Sequence, residues 1–145
     1  QQLVAACLAG AAFSNAQVGL VHAMAHTVGA RNGIHHGLAN SICMPHVIRF
    51  NGPMCHDAYN AVSVAFGLSP SRDAQETAAR LADALFDFAA AAGLSTSLKA
   101  EGVPENALSD LAEATLSDGA IVYNGRPAFD VEELKPIWRA AWEGK

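Results

Sequence analysis

Charge is scarce in this chain. Asp, Glu, Lys and Arg make up 16% of its 145 residues, against 51% hydrophobic; a free-standing domain usually carries about a quarter charged residues. No carboxylate occurs before Asp57. The nine Lys and Arg residues are scattered, and 9 − 14 leaves a net charge of −5. Without a phosphate-neutralising patch, nucleic-acid binding is disfavoured. Phosphate-cradling loops are missing as well: there is no G-x-G-x-x-G and no G-K-[ST]. The three cysteines, Cys7, Cys43 and Cys55, stand far apart with no C-x-x-C. That disfavours a disulfide framework and fits a reducing cytoplasm, with each thiol expected as a small buried hydrophobe. No apolar run reaches the ~18 residues that span a bilayer, so no membrane partner is expected. The apolar segment at residues 3–13 lacks the basic flank of a signal peptide.

What is present is core-forming material. One domain is the expectation for this length, which buries about two thirds of the unfolded surface. The apolar excess implies either a large core or a surface meant to be covered. The chain enters at Gln1 directly into Leu3-Val4-Ala5-Ala6-Cys7-Leu8-Ala9, which we read as an internal edge of a longer protein.

The spacing predicts an all-α bundle of about seven helices, with no strand alternation and no repeat. Residues 1–13 form an Ala-rich helix that is apolar nearly all round, which implies burial. Residues 18–27 continue with helical spacing, and Gly29, Asn32 and Gly33 break it. A third helix covers residues 37–50, with Pro45 inside it expected to kink it. Residues 53–66 form a short amphipathic helix ended by Gly67. Ser69-Pro70 signals the next start, with Ala78, Leu81, Leu85, Phe88 and Ala92 on one stripe and Gly93 as the stop. Pro104 opens a helix to about residue 116. Residues 98–103 and 117–126 are loops. Asp130 and Glu133 form a capping-box-like pair before the last helix, where Trp138 and Trp142 share a face.

Chemistry concentrates in residues 13–51. Five of the six histidines lie there: His22, His26, His35, His36 and His46. His22 and His26 are four apart, so a helix puts both imidazoles on one face. His35-His36-Gly37 follows a glycine-containing turn that can bring a third imidazole back. These residues admit two readings. One is a His-rich metal site built from His22, His26 and one of His35 and His36. The other is separate histidines that satisfy hydrogen bonds. A complete site is not visible, because catalytic iron and zinc usually take a carboxylate as well.

The run G-L-V-H-A-M-A-H, followed by H-G-L-A-N and M-P-H-V-I-R-F-N, resembles the C-terminal helical half of the iron-containing (group III) alcohol dehydrogenases. The resemblance is dense over residues 13–51 and looser as far as Trp142. It implies the C-terminal helical domain of the dehydroquinate synthase-like fold, here a partial metal-binding domain, preceded elsewhere by an NAD(P)-binding α/β domain. It implies Fe2+, or Zn2+, held by four ligands, of which His22 and His36 match two. The Asp/His pair that would supply the others has no match here. His26 matches a histidine beside the metal, suited to carrying a proton. Phe13 matches an aromatic wall of the substrate pocket, and Asn124 and Arg126 resemble an N-P-R loop, here N-G-R-P. His35 replaces the proline often found there, and His46 is expected to be structural.

The implied reaction is hydride transfer between an alcohol and NAD or NADP, with the 145 residues inactive alone and homo-oligomerisation open. A maleylacetate-reductase-like or zinc glycerol-dehydrogenase-like enzyme is the neighbouring alternative, and the H-A-M-A-H form favours the simple alcohol dehydrogenases over it. A non-catalytic metal-binding helical module is the alternative of another class.

Overall fold

The computed structural model describes residues 1–145. It contains seven α-helices and no strand: α1 (Gln2–Ala16), α2 (Leu20–Asn32), α3 (His36–Asn51), α4 (His56–Ala65), α5 (Ala74–Ala91), α6 (Leu108–Leu116) and α7 (Val131–Glu143). Short 3-10 turns at Gly52–Met54, Glu105–Ala107 and Gly119–Tyr123 connect them. The all-α expectation holds. No single helix is long and apolar enough to cross a membrane.

Local chemistry sets the ends. The Asp73 carboxylate accepts from Gln75 and Glu76 N–H at 2.8 and 2.9 Å, satisfying two orphan donors at the start of α5. Asp130 accepts from Glu133 N–H, and Glu133 reaches back to Phe129 N–H at 2.7 Å, starting α7. Gly33 closes α2 in the left-handed conformation, φ 71°, where a side chain would be strained. α3 continues through Pro45 to Asn51, at the loss of the backbone bond that Ser41 C=O would have accepted.

The main core joins α2, α3, α6 and α7 around Trp138, with Leu20, Met24, Val28, Ile42, Val47, Leu111 and Leu134. Leu98 and Val103 enter it from the segment between α5 and α6. A smaller cluster of Ile48, Ala78, Leu81 and Ala82 attaches α5 to the far face of α3. α3 is therefore the shared helix, buried against α2, α5 and α7.

One polar contact set lies inside the main core. Trp138 Nε1 donates to Thr115 Oγ1 at 3.2 Å. The Thr115 hydroxyl donates to Leu111 C=O at 2.7 Å, and Thr27 donates to Ala23 C=O at 2.8 Å. The two hydroxyl oxygens lie 3.4 Å apart. Each hydroxyl has one proton, already committed to a carbonyl, so this contact is dipolar, not a second donation. It locks α2, α6 and α7 in register.

Several expectations are corrected. α1 forms, but none of its residues is buried: Leu3 is 87% exposed and Leu8 66%. Its axis is turned 103° from α2 across Gln17–Gly19, so it projects from the bundle. The stripe of α5 is rotated: Phe86 and Ala89 are buried with Ala78 and Leu81, whereas Phe88 is 66% exposed. An i, i+3, i+4 pattern is compatible with two adjacent stripes in an Ala-rich helix, and contact with α3 selects one. Residues 117–126 contain a 3-10 turn, capped by Asp118.

His46 lies on α3, 5% exposed, edge-on to Phe86 at 5.2 Å. Burial, and secondarily the Arg49 charge, push its pKa down to about 4. The unfolded chain then binds a proton between about pH 6.5 and 4 that the folded chain refuses. Stability should therefore fall as pH drops from 7 to 5, by at most about 3 kcal/mol at full effect. Urea unfolding at pH 5, 6 and 7 checks this, and His46→Leu should flatten the slope. Thr115→Val, which orphans Trp138 Nε1, should cost about 1–3 kcal/mol in the same assay at pH 7.

Candidate functional site

Helices α2 and α3 meet across Gly33-Ile34-His35, and the turn brings the first residue of α3 back over α2. Three imidazoles come together there. Ring centroids of His22 and His36 are 5.3 Å apart, His26 and His36 5.3 Å, and His22 and His26 6.0 Å. The His26 and His36 planes are nearly parallel, at 15°. His35 is exposed at the cap of α3, and His46 lies on the buried side of that helix. Of the five histidines, the fold therefore assembles His22, His26 and His36.

The spacing suits a metal. Two imidazoles ligating one tetrahedral ion at about 2.1 Å place their centroids about 5 Å apart. Burial, then the proximity of His36 and His26, holds His22 below its ordinary pKa, which keeps a lone pair free. The donor set is partial: no group of three or more metal-binding side chains converges as a finished site. His36 Nε2 is engaged by Asn40 Nδ2 at 2.9 Å, and the same amide nitrogen donates to His36 C=O at 3.0 Å. That second bond fixes the amide orientation, because a flipped oxygen would face the carbonyl. Asn40 Oδ1 is left buried without a partner. Ligation through His36 Nε2 requires this amide to turn away.

His26 has a partner of its own. Its Nδ1 lies 3.1 Å from Asp118 Oδ2, the carboxylate of the 3-10 turn after α6. Nothing in the spacing pointed to Asp118, which is 92 residues away in sequence.

A cavity of about 410 Å3 opens beside His22, lined among others by Phe13, Asn40, Met44, Tyr59 and Tyr123. Phe13, 52% exposed, stands 6.5 Å from the His22 ring. Burial pushes the Tyr59 phenol up to about 12, so it stays neutral. Cys43, fully buried, is pushed to about 12 and is an inert hydrophobe; Cys7 is exposed.

Asn124 lines this cavity, and Arg126 stands just beyond its lining. Asn124 Nδ2 donates to Asn51 Oδ1 at 2.8 Å and to Arg126 C=O at 2.7 Å. Its Oδ1 accepts from Asn51 Nδ2 at 3.1 Å and from Leu20 N–H at 3.2 Å. All four positions of one amide are used: three tie the start of α2 to the end of α3, and the fourth closes the loop onto Arg126. Gly19 admits this approach, since a Cβ there would lie 3.0 Å from Asn124 Oδ1. Arg126 donates to Phe50 C=O at 2.9 Å and stacks over the Phe50 ring at 4.1 Å. Asn124→Asp keeps the shape but removes both donations. It should cost about 2 kcal/mol or more, read as a lower urea midpoint.

The Fe-containing alcohol dehydrogenase family, C-terminal, matches residues 1–142. Lactaldehyde reductase of Escherichia coli K12 is 34% identical over 136 residues, 93% of this chain and 35% of its own length. The NADPH-dependent butanol dehydrogenase of Clostridium saccharobutylicum is 32% identical, covering 99% of this chain and 38% of its own. A crystal structure of 1,3-propanediol oxidoreductase superposes with a TM-score of 0.85 at 32% identity, over 93% of this chain and 35% of that one. The chain thus spans about a third of the length of these relatives. A bundle that places three imidazoles where α2 meets α3, matched over nearly its whole length, belongs to the Fe-containing alcohol dehydrogenase family and corresponds to its C-terminal part.

Proposed function

We propose that this chain is the metal-holding helical part of an NAD(P)-dependent dehydrogenase that interconverts small alcohols with their aldehydes or ketones. The observation that carries the reading is the meeting of His22, His26 and His36 beside a cavity, on a chain of this family. The cavity volume, about 410 Å3, lies in the ordinary range for a small-molecule site. Lactaldehyde, propanediol and butanol, the substrates in the relatives' names, are of a size that it can hold.

His22 and His36 would hold a divalent ion, Fe2+ or Zn2+, together with ligands from another part of the protein. Such an ion supplies Lewis acidity at the substrate oxygen, and a nicotinamide bound by a preceding α/β domain supplies the hydride chemistry. The residues of this chain do the rest. His22, kept neutral by its surroundings, offers a lone pair at no cost in protonation. Phe13 walls the cavity and limits water beside His22. His26, close to both ligand imidazoles yet partly exposed, accepts a proton from the substrate side and passes it to solvent. The apolar residues along α1 would be covered by the preceding domain, which accounts for a helix with no buried residue in this chain.

Metal analysis and steady-state kinetics on the protein extended by that domain test the assignment. His22→Ala and His36→Ala should each abolish stoichiometric metal. His26→Gln should keep the metal and lower kcat about 100-fold or more. Full metal in His22→Ala would overturn the ligand assignment. The 145 residues alone should show no NAD(P)-dependent alcohol oxidation.

A further inference from the structure

Asp118 is the one carboxylate that reaches the imidazole cluster, and it is held at both ends. Its Oδ1 accepts from Ala120 N–H at 2.8 Å, capping the 3-10 turn, and its Oδ2 takes His26 Nδ1 at 3.1 Å. Its own N–H donates to Thr115 C=O at 3.1 Å. Thr115 is the residue whose hydroxyl receives the Trp138 indole and touches Thr27, the neighbour of His26 on α2. The carboxylate is therefore placed against His26 by the buried core itself, not by a flexible surface loop. Each oxygen has a separate duty, so rotation of the carboxylate would break the cap.

We propose that Asp118 is a positioning residue that fixes His26 as the Nδ1–H tautomer and leaves Nε2 as its unprotonated nitrogen. An ionised carboxylate only accepts, so the nitrogen facing it must carry the proton. A neutral imidazole has one proton, and Nε2 is then the atom with the free lone pair. Free histidine prefers the opposite tautomer, so the preference has to be imposed by a partner. The inference deepens the role given to His26 above, and rests on that role for its functional meaning: proton acceptance takes place at Nε2. Asp118 does not touch substrate, and its effect passes through His26.

The tautomer is directly observable. Long-range 1H–15N correlation spectra of the 15N-labelled 145-residue chain, above the titration of its histidines, assign each ring nitrogen as protonated or not. Native His26 should show a protonated Nδ1 and a bare Nε2. In Asp118→Asn, the amide oxygen can keep the Ala120 cap while its NH2 faces His26 Nδ1, so the tautomer should reverse to Nε2–H. In Asp118→Ala, neither tautomer is imposed, and the Nδ1–H form should lose its dominance. An Nε2–H tautomer in the native chain overturns the proposal whether or not the variants fold. An unchanged tautomer in Asp118→Asn overturns it too. If the tautomer reverses as expected but His26→Gln leaves kcat intact in the extended protein, only the proton-carrying reading is lost.

Discussion

The contact of Thr27, Thr115 and Trp138 is the constraint on which the arrangement depends. Two hydroxyls and an indole N–H, all taken out of water, leave little freedom in how α2, α6 and α7 pack. A slide of α6 along α2 would orphan the Trp138 donor, at a cost comparable to a large share of a domain's net stability. Thr27 is adjacent to His26, and Thr115 is three residues before Asp118. The register that satisfies the core is therefore the register that brings the carboxylate to the imidazole.

The cluster beside it is held by geometry and by neutrality together. Burial disfavours the cationic form of His22, and the neighbouring imidazoles of His36 and His26, within about 6 Å, add to that penalty. Under the proposed function, metal ligation would benefit from this, because a protonated imidazole has no lone pair to give. The saturated amide of Asn124 serves the same site from below. It binds the first turn of α2, at Leu20 two residues before His22, to the last residue of α3. Asn40 stands apart: its bonded amide nitrogen and orphaned oxygen mark the place where a bound ion would require a side chain to move.

α1 shows a different logic. Its composition is that of a buried helix, yet it stands off the bundle with its leucines in solvent. Apolar character reports that a surface is to be covered, and it does not say by what. In a chain about a third the length of its relatives, the cover can come from residues outside these 145.

By itself, the sequence determined the helical class, the glycine stops and the Asp130 start of the last helix, and the family. These are local or pattern-borne: capping chemistry acts within four residues, and the His/Gly run of α2 and α3 is contiguous. α4 and α5 begin at His56 and Ala74, later than the Pro53 and Ser69-Pro70 starts that the sequence suggested. Spacing on α2 named His22 and His26 as a pair and left His35 and His36 undivided, because adjacent residues differ by only 100° around a helix. The tertiary structure decided that His36, and not His35, joins the rings of His22 and His26, although both residues are exposed. It also chose the buried stripe of α5, where alanines on both sides made two faces equally apolar. Asp118 and the Asn51–Asn124 pair could not be read from the chain at all. Their partners lie 92 and 73 residues away, and such contacts exist only once the core has set the helices side by side.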